Sequence, residues 1–249
     1  MSQKPLVSFS KNMPADLRKI LETDPRLDGL ESRKSLVGFP MEVLKPENPP
    51  LPGDSALVRL DLFTDDPFGD VKWLNPPEDI YGVLGNGRGL KAIAETPQFR
   101  EAGTRPRRRA DAYEYTSWLV VSGAFAKVVK QFAPQHTELL RIDWTRSNGS
   151  RVEGMYFLDV TKLVDAYDFS RSELRIVLNN GRRLLEGMNF PRAIKPGADV
   201  GVHICRDLFL RHEILVSREL AEALAAAQLR GVKFRELATG RLFELDYAD

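Results

Sequence analysis

The sequence holds a single cysteine, Cys205, in 249 residues. One thiol excludes an intramolecular disulfide framework and a cysteine-rich zinc site, and it fits a reducing compartment. Histidine is scarce as well: His136, His203 and His212 are all there are, and no HExxH or Cys-x-x-Cys spacing occurs. No serine stands in the Gly-x-Ser-x-Gly setting of a nucleophile elbow. Charge of one sign is lacking too. The net charge is +1, so the chain as a whole shows neither the basic excess of a nucleic-acid binder nor an attraction to anionic membranes. No apolar run approaches the roughly 18 residues that span a bilayer. The opening MSQKPLVSFSKNMPADL has no long apolar core and does not read as a secretory signal. These absences leave a soluble, cytoplasmic protein without cofactor as the expectation. With 43% hydrophobic residues, the chain can bury one large core or two smaller ones.

Met13–Leu21 is a short helix candidate with Asn12 as its cap. Lys45–Gly53, KPENPPLPG, is too rich in proline for a helix or central strand and reads as a surface loop. Ser55–Phe63 partly alternates, as a strand does. Nine acidic against three basic side chains from Glu42 to Asp79 bias this region negative. Gly82–Leu90, GVLGNGRGL, puts four glycines in eight residues and invites a phosphate-loop reading. That reading requires lysine followed by serine or threonine; here Arg88 is followed by Gly89, and a turn is the better account. Arg105, Arg107, Arg108 and Arg109 could touch phosphates, but no aromatic platform accompanies them. Pro106 argues for an exposed loop or boundary. The division expected is an N-terminal region at 1–110, integrated with the rest or separate, and a second region at 111–249.

Beyond the arginines a pattern occurs twice. Tyr115–Val121 favours strand, Ser122 follows, and Phe125, Val128, Val129 and Phe132 fall on one helical face. Ile214–Val216 favours strand, Ser217 follows, and Leu220, Ala223, Leu224 and Ala227 repeat the same spacing. Each serine hydroxyl is placed to accept an otherwise unpaired amide of the first helical turn, so both read as caps rather than nucleophiles. Gly231 is the expected stop of the second helix. Strands are expected at Thr137–Trp144 and Val232–Leu237 after the two helices. Others are expected at Val152–Val160, in a hairpin through Ser147–Ser150, and at Leu174–Leu178, Ala198–Arg206 and Arg241–Tyr247. The fold class is α+β, with a mixed or mainly antiparallel sheet, packed helices and a strand–serine-capped helix–strand unit used twice.

Two constellations are candidates for catalysis. His203 and Cys205 share one face of a strand and could pair, although a core cysteine beside a hydrogen-bonded histidine is the commoner arrangement. Glu138, Asp143, Asp159, Asp165 and Asp168 could meet in space as an acid and base, but no spacing selects a pair.

Three stretches, WLVVSGAFAKVVKQFAP leading to LLRIDW, GMYFLDVTKLVDAYDFSRS, and HICRDLFLRHEILVSRELAEALAAAQLRGVKFREL, resemble the bacterial polymorphic-toxin immunity proteins of immunity protein family eleven, once a domain of unknown function. The resemblance runs from Tyr113 to Leu237. It departs at Cys205, before Arg206, where the family's pattern often has phenylalanine. It implies an intracellular protein that binds and neutralises a cognate toxin, and it transfers no catalytic residue. An inhibitor of this kind anchors through aromatic and arginine side chains. The candidates are Phe68, Trp73, Tyr81, Arg107 and Arg108, and the acidic 61–79 stretch is a candidate for facing a basic toxin surface. A small hydrolase or transferase with an unrecognised site stays open as an alternative. So does nucleic-acid binding through residues 105–109, and so does self-association.

Overall fold

The computed structural model describes residues 13–30, 40–62, 71–77, 87–91, 93–101, 110–115 and 118–243. The chain forms two compact units. The smaller comprises Met1–Ala56, Asp165–Val200 and Glu236–Arg241; the larger comprises Leu57–Val164, Gly201–Arg235 and Leu242–Asp249.

The larger unit holds two six-stranded sheets. The first has the order β17 (Leu242–Phe243), β16 (Val232–Arg235), β2 (Leu57–Leu62), β15 (Ile214–Ser217), β14 (Ile204–Asp207) and β9 (Leu163–Val164). The second has the order β3 (Val71–Trp73), β4 (Gln98–Glu101), β7 (Thr137–Thr145), β8 (Arg151–Val160), β6 (Trp118–Ser122) and β5 (Ala112–Tyr115). Among the described residues the pairings are antiparallel except β9 with β14 and β4 with β7. Strands β2, β3 and β4, all before residue 110, therefore lie in sheets made largely by the later chain.

Alternation along the strands sorts side chains between two cores. Leu119, Val121, Leu158 and Val160 join Val58, Val216 and Phe234 of the first sheet in one cluster, with Phe125, Val129, Leu220 and Leu224 from helices α2 (Gly123–Phe132) and α3 (Arg218–Ala226). Val120, Phe157, Ile142 and Trp144 point the other way, into an aromatic cluster with Trp73, Phe99 and Tyr113. Val152 and Met155 both join the aromatic cluster although they are three residues apart. A β-bulge makes this possible. Ile142 pairs with Met155 and Trp144 with Val152, so Glu153 and Gly154 stand opposite Asp143 alone. Gly154 carries the bulge at φ +70°.

The smaller unit contains α1 (Ala15–Thr23), a three-stranded sheet in the order β1 (Met41–Leu44), β11 (Leu174–Asn179), β12 (Arg182–Met188), and the pair β10 (Tyr167–Asp168) and β13 (Ala193–Ile194). Arg183, buried, donates to the carbonyls of Leu21 and Leu27 and so satisfies chain ends at and just past α1.

Several expectations shift. Helix α1 starts at Ala15 behind Pro14, without a side-chain cap, and Asn12 lies outside the described residues. Helix α3 stops at Ala226 rather than at Gly231, because Gln228 takes the left-handed conformation at φ 52°. Gly231 instead sits in the turn just before β16, where a Cβ would press on the Ala110 side chain. The strand expected from Ala198 begins only at Ile204, since Gly197 and Gly201 turn the chain at φ +78° and +66°. Of the last expected strand, Leu242–Phe243 is present and residues 244–249 lie outside the described set. No helix among the described residues is long and apolar enough to cross a membrane.

Candidate partner-binding site

The described part of the glycine-rich stretch, Gly87–Leu90, turns its backbone amides onto two carboxylates of the chain itself. The backbone N–H groups of Gly87 and Gly89 donate to the Asp159 carboxylate at 3.2 and 2.7 Å, and Leu90 N–H donates to Glu138 at 2.7 Å. Glu138 and Asp159 face each other across β7 and β8. Two like charges so placed repel. The three amides offset that repulsion, helped by the Arg206 guanidinium 3.4 Å from Asp159, both side chains being 1% exposed. The Arg206 guanidinium also donates to the Arg211 carbonyl at 2.7 Å. Both glycines are required. Each has φ above +80°, and a Cβ on Gly89 would lie 2.8 Å from a Glu138 oxygen. Burial pulls the Arg206 guanidinium below its ordinary value, against the opposing pull of Asp159.

The remaining carboxylates are spent separately. Asp165 holds Lys195 at 2.8 Å through each of its oxygens, and Asp168 accepts from Ser170 N–H at the entry to a short turn. Of these carboxylates, Glu138 and Asp159 are brought together as cross-strand neighbours.

His203, Ser217 and Glu219 meet in a way that superficially suggests a hydrolytic triad. Ser217 Oγ lies 3.1 Å from His203 Nδ1, and Glu219 lies 3.6 Å from that same nitrogen. A relay needs nucleophile and acid on opposite ring nitrogens. Here both compete for one, and Ser217 Oγ already accepts the Leu220 amide at 3.1 Å as a helix cap. Ser122 Oγ accepts the Phe125 amide at 3.3 Å in the same way. Cys205 points elsewhere in function: it is fully buried, and burial pushes its thiol up to about 12, too high for a nucleophilic thiolate. Among the described residues, no group of three or more His, Cys, Asp or Glu is placed to hold a metal ion.

What the larger unit does present is a cavity of about 500 Å³. Arg59 and Asp61 from β2, Glu114 from β5, Arg206 from β14, and Lys233 and Arg235 from β16 line it, together with Leu60, Leu119 and Ile214. Strand alternation puts Arg59 and Asp61 on one face of β2, and register places Arg235 beside Arg59 and Lys233 beside Asp61. Asp61 bridges two guanidinium groups, Arg59 at 2.6 Å and Arg235 at 2.7 Å. Glu213 lies 3.9 Å from Arg59 and 3.8 Å from His212. These pairs hold charges of both signs in fixed positions, partly shielded from water.

Of the anchors read from sequence, Trp73 is 5% exposed; its ring stacks on Phe99 at 5.4 Å, and its N–H donates to Asn75. It packs the aromatic core. Phe68, Tyr81, Arg107 and Arg108 lie outside the described residues, as do residues 63–70 and 78–79 of the acidic stretch and residues 105–109. The charged cavity left no mark in the sequence because its residues come from several strands with no common spacing.

The described residues form a mixed, mostly antiparallel α+β fold with a charge-lined cavity in the larger unit. A family model described as Immunity protein family (Imm11) matches residues 61–239, and the chain belongs to that family. It is a toxin-neutralising immunity protein. Comparison with curated proteins gives no match.

Proposed function

We propose that the protein neutralises its toxin in the cytoplasm by stoichiometric contact rather than catalysis, and that the charged cavity of the larger unit is part of the contact surface. The observation that carries this is the bridged pair of guanidinium groups on Asp61, which fixes both signs of charge at the cavity. Charges held in place favour a partner of complementary pattern and penalise others. A nucleic-acid backbone asks for uncompensated positive charge, whereas Asp61 and Glu213 sit beside Arg59 at this wall. The shared position of Ser217 and Glu219 on His203 Nδ1 speaks against a hydrolase. Phe68, Tyr81, Arg107 and Arg108 extend the proposed contact set as aromatic and arginine anchors. The framework beneath is proposed to use one strand–capped helix–strand unit twice, through Ser122 and Ser217.

The test is binding of the full chain to an inactivated form of the toxin encoded by the adjacent gene, with growth rescue on co-expression. Glu114→Lys and Lys233→Glu reverse charges of opposite sign at the cavity. The expected result is a salt-sensitive change in association rate in both variants. Unchanged rates in both, with wild-type binding intact, would remove the cavity from the interface.

A further inference from the structure

One segment of the smaller unit lies outside the stretch that the family model matches and carries a feature neither core nor cavity accounts for. In the loop 45–54, Leu51 is 67% exposed, a large apolar side chain held out in water. The backbone behind it is fixed. The sequence Pro49-Pro50-Leu51-Pro52 locks three φ angles and restricts the residue before each proline. Pro52 and Gly53 occupy the centre of a turn closed by Asp54 N–H donating to the Leu51 carbonyl at 3.1 Å. Gly53 has φ +87°, the value a type II turn demands at that place. Asp54 Oδ2 accepts the Leu51 amide at 2.8 Å, and Glu236 accepts the Gly53 amide at 3.1 Å. Arg171 braces the base, donating to the Asn48 carbonyl at 3.2 Å, and Pro50 is buried beneath.

We propose that this loop is a preformed finger that seats Leu51 in an apolar crevice of the toxin. The proposal deepens the toxin-binding reading and rests on it. Ordering a loop on binding costs affinity, and here the ordering is already done. Arg171 lies 3.8 Å from Asp54 at the base of the finger, and Lys45 and Glu47 precede it in the chain, so the flanks carry two charges of each sign. An apolar centre with a mixed polar rim is the ordinary anatomy of a protein–protein contact. The cleft of about 310 Å³ in this unit mixes Ile20, Leu44 and Phe169 with Asp24, Arg26, Glu47 and Arg171, so a second copy of this chain is the competing receiver that the experiment separates from the toxin. One leucine is also far short of the roughly 1,200 Å² that a stable interface buries, so the finger is one anchor within a larger contact.

The experiment is titration calorimetry of the full chain against the purified, inactivated toxin domain from the adjacent gene. Leu51→Ala is expected to weaken binding at least about tenfold, and Leu51→Asp further, with thermal melting unchanged because the side chain is exposed. Asp54→Ala, which unties the turn while keeping Leu51, is expected to weaken binding several-fold. Binding by both Leu51 variants within about twofold of wild type overturns the finger. Light scattering that shows a wild-type dimer lost in Leu51→Asp, with toxin affinity unchanged, overturns it in favour of self-association. A wild-type chain that does not bind the domain overturns the toxin-binding reading itself, and the finger falls with it.

Discussion

At Ser217 one hydroxyl does two things. It accepts the Leu220 amide and shares a hydrogen bond with His203 Nδ1. Removing a cap of this kind costs about 1 kcal/mol. Ser122→Ala, which loses the cap alone, is expected to lower the urea-unfolding free energy by about that amount, and Ser122→Asp to restore most of it. His136 offers a second test at this scale. Its imidazole is held below the usual histidine range by burial first, then by Lys162 and His203. A depressed histidine is neutral in the folded chain where the unfolded chain would take up a proton. Stability from this group is therefore complete above the unfolded value near 6.5 and is lost as pH falls below it. Unfolding midpoints measured from pH 7 down to 5 are expected to fall less steeply in His136→Gln than in wild type.

Among the elements, glycine does the most to distinguish local strain from crowding. Gly154 has positive φ and open space around it, so Gly154→Ala carries only the conformational cost of roughly 1–2 kcal/mol. Gly89 has positive φ and Glu138 against it. Gly89→Ala is expected to be the more damaging of the two in parallel urea melts, and also to loosen the Leu90 contact. Some of these elements are legible in the sequence and others are hidden. The helices after Ser122 and Ser217 are readable because Phe125 and Val129, and Leu220 and Leu224, recur at helical spacing and are buried, although Ala227, expected on the second face, is exposed past the helix end. The β7–β8 hairpin is readable because Asn148-Gly149 marks its turn. The turn at Asn180-Gly181, with φ 51° and 71°, carries an equally plain hairpin signal between β11 and β12, although only the first of those strands is expected from the sequence pattern above. The two parallel pairings are not readable, since partners far apart in sequence leave no local mark. Nor is the glycine loop's ligand: it is a carboxylate some 70 residues downstream.

For the molecule as a whole, the junction of Asp159 with Arg206 decides more than its size suggests. It joins β8 of one sheet to β14 of the other within the larger unit. Breaking a buried pair from one side leaves a charge without its counterpart and typically costs about 3–5 kcal/mol. Asp159→Ala is expected to lose stability of that order in a denaturation curve, while Asp159→Leu combined with Arg206→Met loses less than the two single changes summed. The contact proposed above relies on side chains that reach water, such as Glu114, so stability and toxin affinity are expected to respond to largely different sets of substitutions. The charged cavity is hidden in the sequence because several strands assemble it, whereas the proline-rich loop is contiguous and reads directly as a surface loop.

The wrapping of Asp159 by the loop has a kinetic corollary. A loop amide ordinarily exchanges its hydrogen with water through small local openings. The Gly89 amide donates to a carboxylate that is itself enclosed, so its proton is shielded until β7, β8 and β14 separate. It should exchange on the slow timescale of the central strands, which makes a residue without secondary structure a reporter of global unfolding for the larger unit.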